Sequence, residues 1–481
     1  MKNRTGDSAE IRPERSQTSA PVWTFVIAGL LCGFLYSVVV PPFHAPDEKS
    51  HFLRTWYVSE GHLGAIRSSG AVGVMVPPEV KELGSRFGGR VTCDPDAIHA
   101  ALHAPPVSRD RVFAENALHA WASPVVYVPQ AVGIAVGRAV DVSPLACLYL
   151  GRFANVIAGV LLIGLAIAIF PSYRWLVALM ALTPMANHLR GSLSLDSVTM
   201  GAGFLFLALV ARLWFFERGE VPWRTWIAIT ILAGLVCLTR TTYAPVAALP
   251  LFIPSGRFRR VWSARLILAL AIVLALSSAF MTAARNWTPF RPGISDPQGQ
   301  FQFILSHPMA FAKVLWLEHV IHAKWYLISM VGDLGSGASV VPLPKLLVVI
   351  YFLAIVFLLI SDTNEQVVIK AKERALLALV CVASTLAIAL AIYTSWNPVG
   401  WTVIDGLQGR YYLPFVPAAF FVVHRARRGV SQRVRMFVVA GVVCLSTVIA
   451  LDRAVNVWYP RGWSGWRNAY CGRTGAFPVL R

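Results

Sequence analysis

The chain has 481 residues, of which 56% are hydrophobic and 14% are charged, and its mean hydropathy is +0.59. Soluble globular domains carry about 25% charged residues, so this composition excludes a chain built mainly of soluble domains. With 43 Lys+Arg against 24 Asp+Glu, the net charge is +19. In an apolar chain, such a basic excess points first to membrane topology and only then to nucleic acid.

The N-terminal residues 1–21 are polar and predict a disordered cytoplasmic segment, after which an apolar run extends from Val22 to Val40. No small-residue cleavage site of the A-x-A type follows this run, which leads directly into a proline-containing turn that begins at Pro41. This pattern favours an uncleaved membrane anchor over a secretory signal peptide.

Apolar runs long enough to cross a bilayer recur along the rest of the chain. Together with the first run they predict about eleven spans, at roughly 22–40, 146–170, 175–189, 196–216, 225–240, 242–256, 263–283, 343–361, 375–394, 411–424 and 434–451. We therefore expect an all-α polytopic membrane protein with one transmembrane domain over residues 22–451.

Basic residues set the orientation of these spans, because cytoplasmic loops are enriched in Lys and Arg. If the N-terminus is cytoplasmic, all of the strongly basic short loops lie inside; they carry Arg174, Arg212, Arg218, Arg224, Arg257, Arg259, Arg260, Arg265, Lys370, Lys372, Arg374, Arg425, Arg427, Arg428, Arg433 and Arg435. We predict a multi-pass protein of the inner (plasma) membrane with an extracytoplasmic C-terminus. The charge excess is then explained by topology, and no nucleic-acid partner is expected.

This orientation leaves two long extracytoplasmic segments, about 41–145 and 284–342, and an extracytoplasmic tail over 452–481. In the first segment, the run from Ser123 to Val140 is apolar but contains Gln130 and Arg138, so we predict a helix on the membrane surface. In the second, residues 301–331 mix aromatic and charged side chains, which suits a pair of interfacial helices.

The densest group of acidic and histidine side chains follows the first span, in the segment from His44 to His51. Pro46 suits a first helical turn, and a helix here would place His44, Asp47, Glu48 and His51 on one face at i, i+3, i+4 and i+7. Three interpretations stay open: a solvated helix cap, a divalent-metal site formed by these four residues, and a carboxylate base at the membrane boundary.

Further charges lie at the predicted outer boundary, where they do not follow the positive-inside pattern. Asp196 begins a span and suits either an N-cap or a cavity wall. Arg240 and Arg410 lie at the mouths of spans, and guanidinium groups are suited to bidentate contacts with a lipid phosphate. For Arg152 and Arg190, at the same level, we expect side chains that extend to the headgroups.

The seven cysteines are dispersed with no CxxC pair, so neither a zinc ribbon nor a thioredoxin-like motif is present. Cys93 and Cys471 fall in the predicted extracytoplasmic segments, the compartment in which disulfides persist. A disulfide between these two residues is therefore a hypothesis, with a pair of free thiols as its alternative.

A set of short motifs carries a family resemblance. They are Pro41-Pro42, Pro46-Asp47-Glu48, His51-Phe52, Arg54, Ser123-Pro124 with Tyr127, Pro184, Ser192 to Ser197, and Gln408-Gly409-Arg410-Tyr411. The pattern resembles the bacterial membrane family labelled domain of unknown function 2142 (DUF2142). That family is similar in layout to the GT-C superfamily of polyprenyl-phosphate-dependent glycosyltransferases. The resemblance extends from about residue 22 to residue 451, and it departs from the family at Ser123-Pro124, where two prolines are frequent, and at Arg240, where lysine is common.

The resemblance implies a GT-C-like bundle and chemistry on the extracytoplasmic face. Asp47 would be the general base, with Glu48 assisting it. Arg410 and Arg240 would hold the lipid phosphate of the donor. The remaining predicted substrate contacts are Asp196, Gln408, Tyr411, His51 and Arg54, and the further candidates for stacking against sugar or prenyl groups are Trp325, Trp401 and Tyr412. GT-C enzymes include metal-dependent and metal-independent types, so a divalent metal stays possible.

The function that follows is an inverting membrane glycosyltransferase that moves a sugar from a polyprenyl-phosphate donor to a glycan or lipid acceptor of the cell envelope. The alternative is a transporter or flippase of lipid-linked saccharides, which would need a continuous polar path across the spans. Few ionisable residues fall in the middle of the predicted spans, which favours the transferase. A membrane metalloprotease is a distant third hypothesis, because no HExxH motif occurs.

Overall fold

The structure is a computed structural model that describes residues 14–286, 291, 293–335, 337–425 and 430–471. It is mostly helical, with 71% of residues in helices, so the predicted helical character is confirmed. The first helix begins at Glu14, inside the segment predicted to be disordered, while residues 1–13 and 472–481 lie outside the described residues.

The α-helices of the described residues are α1 (Glu14–Val39), α2 (Glu48–Ser59), α3 (Pro78–Phe87), α4 (Pro95–Leu102), α5 (Val128–Ala139), α6 (Pro144–Ile169), α7 (Arg174–Ala181), α8 (Pro184–Arg190), α9 (Asp196–Ala211), α10 (Trp223–Thr239), α11 (Ala244–Ala247), α12 (Val261–Asn286), α13 (Pro297–Ser306), α14 (Pro308–Ile321), α15 (Ala323–Gly332), α16 (Lys345–Ser361), α17 (Ala371–Trp396), α18 (Val416–Val422), α19 (Gln432–Trp458) and α20 (Trp463–Cys471). A π-helical turn, Arg212–Phe216, extends α9. The 3-10 segments that matter for the site are Pro124–Tyr127, Thr241–Tyr243 and Gly409–Phe415.

Six helices of the described residues are long and apolar enough to cross a membrane: Ser19–Val39, Pro144–Ile169, Asp196–Phe216, Val261–Arg285, Ala371–Trp396 and Gln432–Trp458. Two shorter apolar helices, α10 and α16, fall at other predicted spans. The count of about eleven is not confirmed, because the predicted spans at 175–189, 242–256 and 411–424 are broken into short helices. Prolines cause the breaks, since proline removes a helical hydrogen bond and clashes with the preceding turn.

The predicted surface helix is present as a 3-10 turn followed by α5, which packs against α2 and α6. Its 12 residues extend about 18 Å, which is too short to cross a bilayer. Its valines Val128, Val132 and Val136 are spaced four apart and exposed. Residues 301–331 form parts of three helices, α13 to α15, where a pair was predicted.

Small β-sheets are a departure from the all-α prediction. The strands are β1 (Ile66–Ser68), β2 (Ala71–Val76), β3 (Val112–Glu115), β4 (Asp333–Leu334) and β5 (Val341–Pro342). β2 pairs antiparallel with β1 and β3, and β4 pairs antiparallel with β5. A β-carbon at Gly73 would lie 2.1 Å from the backbone oxygen of Ala114, so the pairing of β2 with β3 needs glycine there.

The long helices bring two sets of loops together at opposite ends of the bundle. At one end, which we call the basic end, Tyr173 N donates to Asp362 O at 2.9 Å, and Arg435 Nη1 donates to Asp362 Oδ1 at 2.8 Å. Val221 N also donates to Arg257 O there, at 2.9 Å. The other end, which we call the site end, is where α1, α10, α12 and α17 finish and α6 and α9 begin.

The predicted disulfide is not formed in the structure. Cys93 and Cys471 are both free and buried. The thiol of Cys93 donates to Trp458 O at 3.1 Å, so packing against α19 occupies it.

Candidate functional site

Asp47 and Glu48 are neighbours in sequence but point in different directions. Asp47 is the N-cap residue of α2, with φ 57° and ψ 12° in the left-handed region, and its side chain makes no capping hydrogen bond. Helix α2 begins only at Glu48, so His44 and Asp47 precede it. The predicted shared helix face of His44, Asp47, Glu48 and His51 is therefore wrong, whereas Asp47 does lie at the helix cap, which it forms through its backbone and not through its side chain.

Glu48 forms a fully buried ion pair with Arg152 of α6. The two side chains meet in two contacts, Nε to Oε1 at 2.8 Å and Nη2 to Oε2 at 2.6 Å, and neither side chain is exposed. Glu48 also accepts from Phe43 N and Leu193 N, at 2.9 and 3.1 Å. Arg152 directs its other donors to backbone oxygens of Ser37, Val40 and Pro41.

This pair changes the interpretation of three residues. Every donor of the Arg152 guanidinium is used, and both Glu48 oxygens accept two bonds. Glu48 is thus a core residue and does not lie beside Asp47 as an assisting carboxylate. Arg152 and Arg190 were expected to extend to the headgroups, but both are completely buried; Arg190 donates to Ala181 O and to the side chain of Asn187.

Asp47 instead joins a cluster of two arginines and a second aspartate, drawn from four distant parts of the chain. Arg240 Nη2 lies 2.8 Å from Asp196 Oδ1, and Arg410 Nη1 lies 3.7 Å from Asp196 Oδ2. Arg410 Nη2 lies 3.5 Å from Asp47 Oδ2. Asp47 is 39% exposed whereas Arg410 is 4% exposed, so the carboxylate is the accessible member of this contact.

Tyr411 lies against both guanidinium groups. Its ring centroid is 4.6 Å from Cζ of Arg240 and 5.2 Å from Cζ of Arg410, distances at which a cation is attracted to an aromatic face. Among the described residues, Nε of each arginine is buried and has no hydrogen-bond partner. Two buried donors are therefore unsatisfied beside the aspartates, and each such donor costs about 1–3 kcal/mol.

The cluster opens into a cavity of about 1080 Å³ at the site end of the bundle. Six of the predicted site residues line it: Asp47, Arg54, Arg240, Gln408, Arg410 and Tyr411. Asp196 lies behind the two arginines as their counter-charge. Of the stacking candidates, Trp325, Trp401 and Tyr412 are not among the lining residues, whereas Trp121 and Trp396 are.

His51 and His119 form a pair at the cavity wall. Their ring centroids are 4.0 Å apart, and His51 Nδ1 lies 2.8 Å from the Tyr127 hydroxyl. Burial lowers the pKa of His119 to about 4, and it also lowers the pKa of His51 well below its usual value. Both imidazoles are therefore neutral near pH 7. Sequence reasoning missed His119; its position just before the Ser123-Pro124 motif is the signal that would have found it.

Arg54 lines the cavity but also ties two loops together. Its Nε and Nη2 donate to Ala122 O, at 3.2 and 2.8 Å, and Nη2 donates to Leu63 O at 2.7 Å. Its Nη1 is buried without a partner, and no carboxylate of the described residues pairs with this guanidinium. Burying a cation without a counter-charge lowers the stability of the free protein, and an anionic ligand that pairs with the cation would offset this cost.

The four candidate metal ligands do not converge. Glu48 is held by Arg152, and His51 contacts Tyr127 and His119. His44 lies against Trp458, with ring centroids 5.6 Å apart, and its Nδ1 lies 3.2 Å from Pro42 O. Within the described part of the chain, no group of three or more His, Cys, Asp or Glu side chains is placed to hold a metal.

Comparison with known proteins identifies the family. Residues 30–419 match the family described as predicted membrane protein (DUF2142), so the chain belongs to it, and the predicted resemblance is confirmed. No protein of curated function matches the chain. Among solved structures, the crystal structure of ArnT from Cupriavidus metallidurans bound to undecaprenyl phosphate aligns with a TM-score of 0.37 and 13% identity. The alignment covers 93% of this chain and 62% of ArnT, so the chain spans less than two thirds of that protein.

Proposed function

We propose that this DUF2142 protein is an inverting membrane glycosyltransferase. It moves a sugar from a polyprenyl-phosphate donor to an acceptor of the cell envelope on the extracytoplasmic face. The observation that carries the proposal is the cavity at the site end, where the accessible carboxylate of Asp47 lies beside the guanidinium groups of Arg410 and Arg240.

The arginines suit the phosphate of the donor. Asp47 and Asp196 balance the charges of Arg410 and Arg240, so the one excess positive charge of this wall is the guanidinium of Arg54, which no carboxylate of the described residues pairs. A sugar linked through one phosphate is a phosphodiester with one negative charge, which matches this excess. The phosphate oxygens would also satisfy the two buried Nε donors. Arg54 offers a third guanidinium in the same wall.

Asp47 suits the role of general base. Its carboxylate takes the proton of the acceptor hydroxyl, and the acceptor oxygen forms a bond to the anomeric carbon of the donor sugar. The bond between that carbon and the phosphate oxygen breaks, and its electron pair leaves with the polyprenyl phosphate. Arg240 and Arg410 stabilise the charge that develops on this leaving group. Asp47 then returns its proton to water.

The distribution of basic residues supports an extracytoplasmic site. The loops that carry the predicted inside cations, such as Arg174, Arg257, Arg374 and Arg435, begin or finish helices at the basic end, opposite the cavity. Cytoplasmic loops are enriched in such residues. The basic end therefore faces the cytoplasm, and the cavity opens toward the envelope, where a polyprenyl-linked sugar and its acceptor can meet.

The alternative function, a transporter or flippase of lipid-linked saccharides, needs a polar cavity that crosses the bundle. The lining residues from the long helices come from their site-end termini, and the deepest on α12 is Ser278. Ser278 lies eight residues before the end of α12, or about 12 Å along a helix about 39 Å long. The cavity is therefore a site at one boundary, which favours the transferase.

Mass spectrometry of a deletion strain tests the proposal and separates the two functions. Loss of the transferase should accumulate one polyprenyl-phosphate-linked sugar and remove the same sugar from an envelope glycan. Loss of a flippase should accumulate a lipid-linked saccharide in the cytoplasmic leaflet, protected from a membrane-impermeant glycosidase added to intact spheroplasts. Unchanged lipid-linked sugars together with unchanged envelope glycans would refute both functions.

A further inference from the structure

The cavity has a second polar wall that contains no excess charge. We call it the Trp396 wall, and it consists of Ser278, Thr282, Arg291, Thr394, Trp396 and Asp405. Arg291 Nη1 lies 3.4 Å from Asp405 Oδ2, so the two charges pair. The guanidinium of Arg291 lies 5.4 Å from the ring centroid of Trp396. The pair is neutral as a whole, and this wall does not repeat the phosphate-binding chemistry of Arg240 and Arg410.

Oxygen acceptors are the main polar groups of this wall. The hydroxyl of Thr394 donates to Leu390 O at 2.8 Å, and that of Thr282 donates to Ser278 O at 2.7 Å. The hydroxyl proton of Thr394 is bonded within its own helix, so the Thr394 oxygen is placed to accept a hydrogen bond. The carboxylate of Asp405 is 61% exposed and also accepts. A ligand that fits this wall must bring several hydrogen-bond donors.

The loop that carries Asp405, residues 397–408, is held by three buried polar side chains, one from the loop itself and one each from α13 and α14. Asn397 Oδ1 accepts from Asp405 N at 2.8 Å, and Asn397 Nδ2 donates to Asp405 O at 3.2 Å. Glu318 Oε2 accepts from Ile404 N at 2.9 Å, and Gln300 Oε1 accepts from Gly400 N at 2.7 Å. Asn397, Glu318 and Gln300 are all buried. An exposed loop fixed in this way presents Asp405 with little conformational entropy to lose on binding.

We propose that the Trp396 wall binds a saccharide acceptor, so that the substrate which receives the sugar is a glycan hydroxyl. This inference rests on the proposed transferase function and extends it to the acceptor class. A sugar ring offers several hydroxyl donors for Asp405 and Thr394, and an apolar face for the indole of Trp396. The volume of about 1080 Å³ exceeds the range of about 300–1,000 Å³ that is usual for small-molecule sites, which leaves room for an acceptor beside the donor.

Saccharide binding is tested directly by saturation-transfer NMR on the purified full-length protein in detergent. The probes are neutral oligosaccharides released by partial acid hydrolysis from the envelope polysaccharide of the source cells. The wild type should give saturation transfer to these probes. Asp405→Asn and Trp396→Leu should each weaken binding about tenfold or more, because a hydrogen bond to a charged group or a stacking face is lost.

The matched control is Asp452→Asn, an exposed aspartate of α19 that contacts Asn456 and Trp463 away from the cavity. It should bind the probes as the wild type does. No saturation transfer with the wild type, or equal binding by the wild type, Asp405→Asn and Trp396→Leu, would overturn the acceptor inference. Failure of the deletion strain to accumulate a lipid-linked sugar, with saccharide binding intact, would instead refute the transferase and leave a saccharide site.

Discussion

Two adjacent carboxylates, Asp47 and Glu48, each meet an arginine, but the two pairs differ in solvent exposure and in how many of their hydrogen-bonding groups are used. Glu48 meets Arg152 in the core with neither side chain exposed, and all of their hydrogen-bonding groups are satisfied. Asp47 meets Arg410 at the cavity wall, at 3.5 Å, with its carboxylate partly exposed and Nε of the arginine unsatisfied. A carboxylate and a guanidinium therefore form a closed pair at Glu48, with all hydrogen-bonding groups used. One residue earlier, at Asp47, they form an open pair, with an accessible carboxylate and an unused donor.

Structural and functional ion pairs differ in whether their hydrogen-bonding groups are already used. A buried pair whose donors and acceptors are all used has nothing left for a ligand, and removing one partner leaves the other charge uncompensated. A pair with unused donors and an accessible carboxylate pays a cost in the free protein that a ligand can offset. We therefore expect Glu48 and Arg152 to stabilise the fold, and we propose that Asp47, Arg240 and Arg410 act in binding and chemistry.

The largest effect is expected from Glu48→Gln, which removes the carboxylate charge and leaves Arg152 buried without a counter-charge. The expected loss of stability is about 3–5 kcal/mol. Thermal unfolding in detergent, followed by size-exclusion chromatography, should show a strongly lowered midpoint or no monodisperse protein. The double variant Glu48→Gln/Arg152→Met should recover part of the loss. A Glu48→Gln protein with normal stability but no transfer activity would show that Glu48 acts in catalysis and does not stabilise the fold.

Arg410→Ala should leave the fold intact and lower sugar transfer about 10²-fold or more, since one preorganised cation at the leaving phosphate is lost. Arg410→Lys should fall between this variant and the wild type, because lysine keeps the charge but not the bidentate geometry. Transfer rates in liposomes measure both. Arg138→Ala is the control, since Arg138 pairs with Glu60 at 3.5 Å outside the cavity. Wild-type donor binding by Arg410→Ala would contradict the phosphate role.

The histidine pair at the cavity wall, His51 and His119, should make the stability of the protein depend on pH. The pKa of His119 is lowered by burial from 6.5 to about 4, so the unfolded chain takes up a proton at a higher pH than the folded protein does. The contribution of His119 to the free energy of unfolding is therefore fully present above about pH 6.5 and is lost as the pH falls toward about 4. The unfolding midpoint should therefore drop over that range, and less so in His119→Gln. Parallel curves for the two proteins would remove His119 as the cause.

The smallest effect is expected from the two buried cysteines, as a change in gel mobility on reduction. Because Cys93 and Cys471 are free in the structure, wild type and Cys471→Ser should migrate alike on gels with and without reductant. A mobility shift on reduction in the wild type that is absent in Cys471→Ser would instead establish the disulfide.

The sequence predicted the members of the open cluster better than those of the closed pair. Asp47 and Arg410 are separated by 363 positions, and the motifs alone predicted that both lie on the extracytoplasmic face. The direction of Glu48 was not predictable, because it depends on the left-handed conformation of Asp47 and on Arg152, whose apolar context suggested the membrane boundary. The broken spans are signalled by prolines such as Pro184, whereas the strands are too short to be distinguished by periodicity.

If the Asp47 carboxylate is the base in a sugar-transfer site, the rate of transfer must depend on its charge. Purified wild type and Asp47→Asn are compared in liposomes at matched thermal stability, with the lipid-linked sugar that accumulates in the deletion strain as donor. We expect Asp47→Asn to retain binding of the donor and to lose transfer at least about 10²-fold. Transfer at the wild-type rate by a folded Asp47→Asn protein would contradict it.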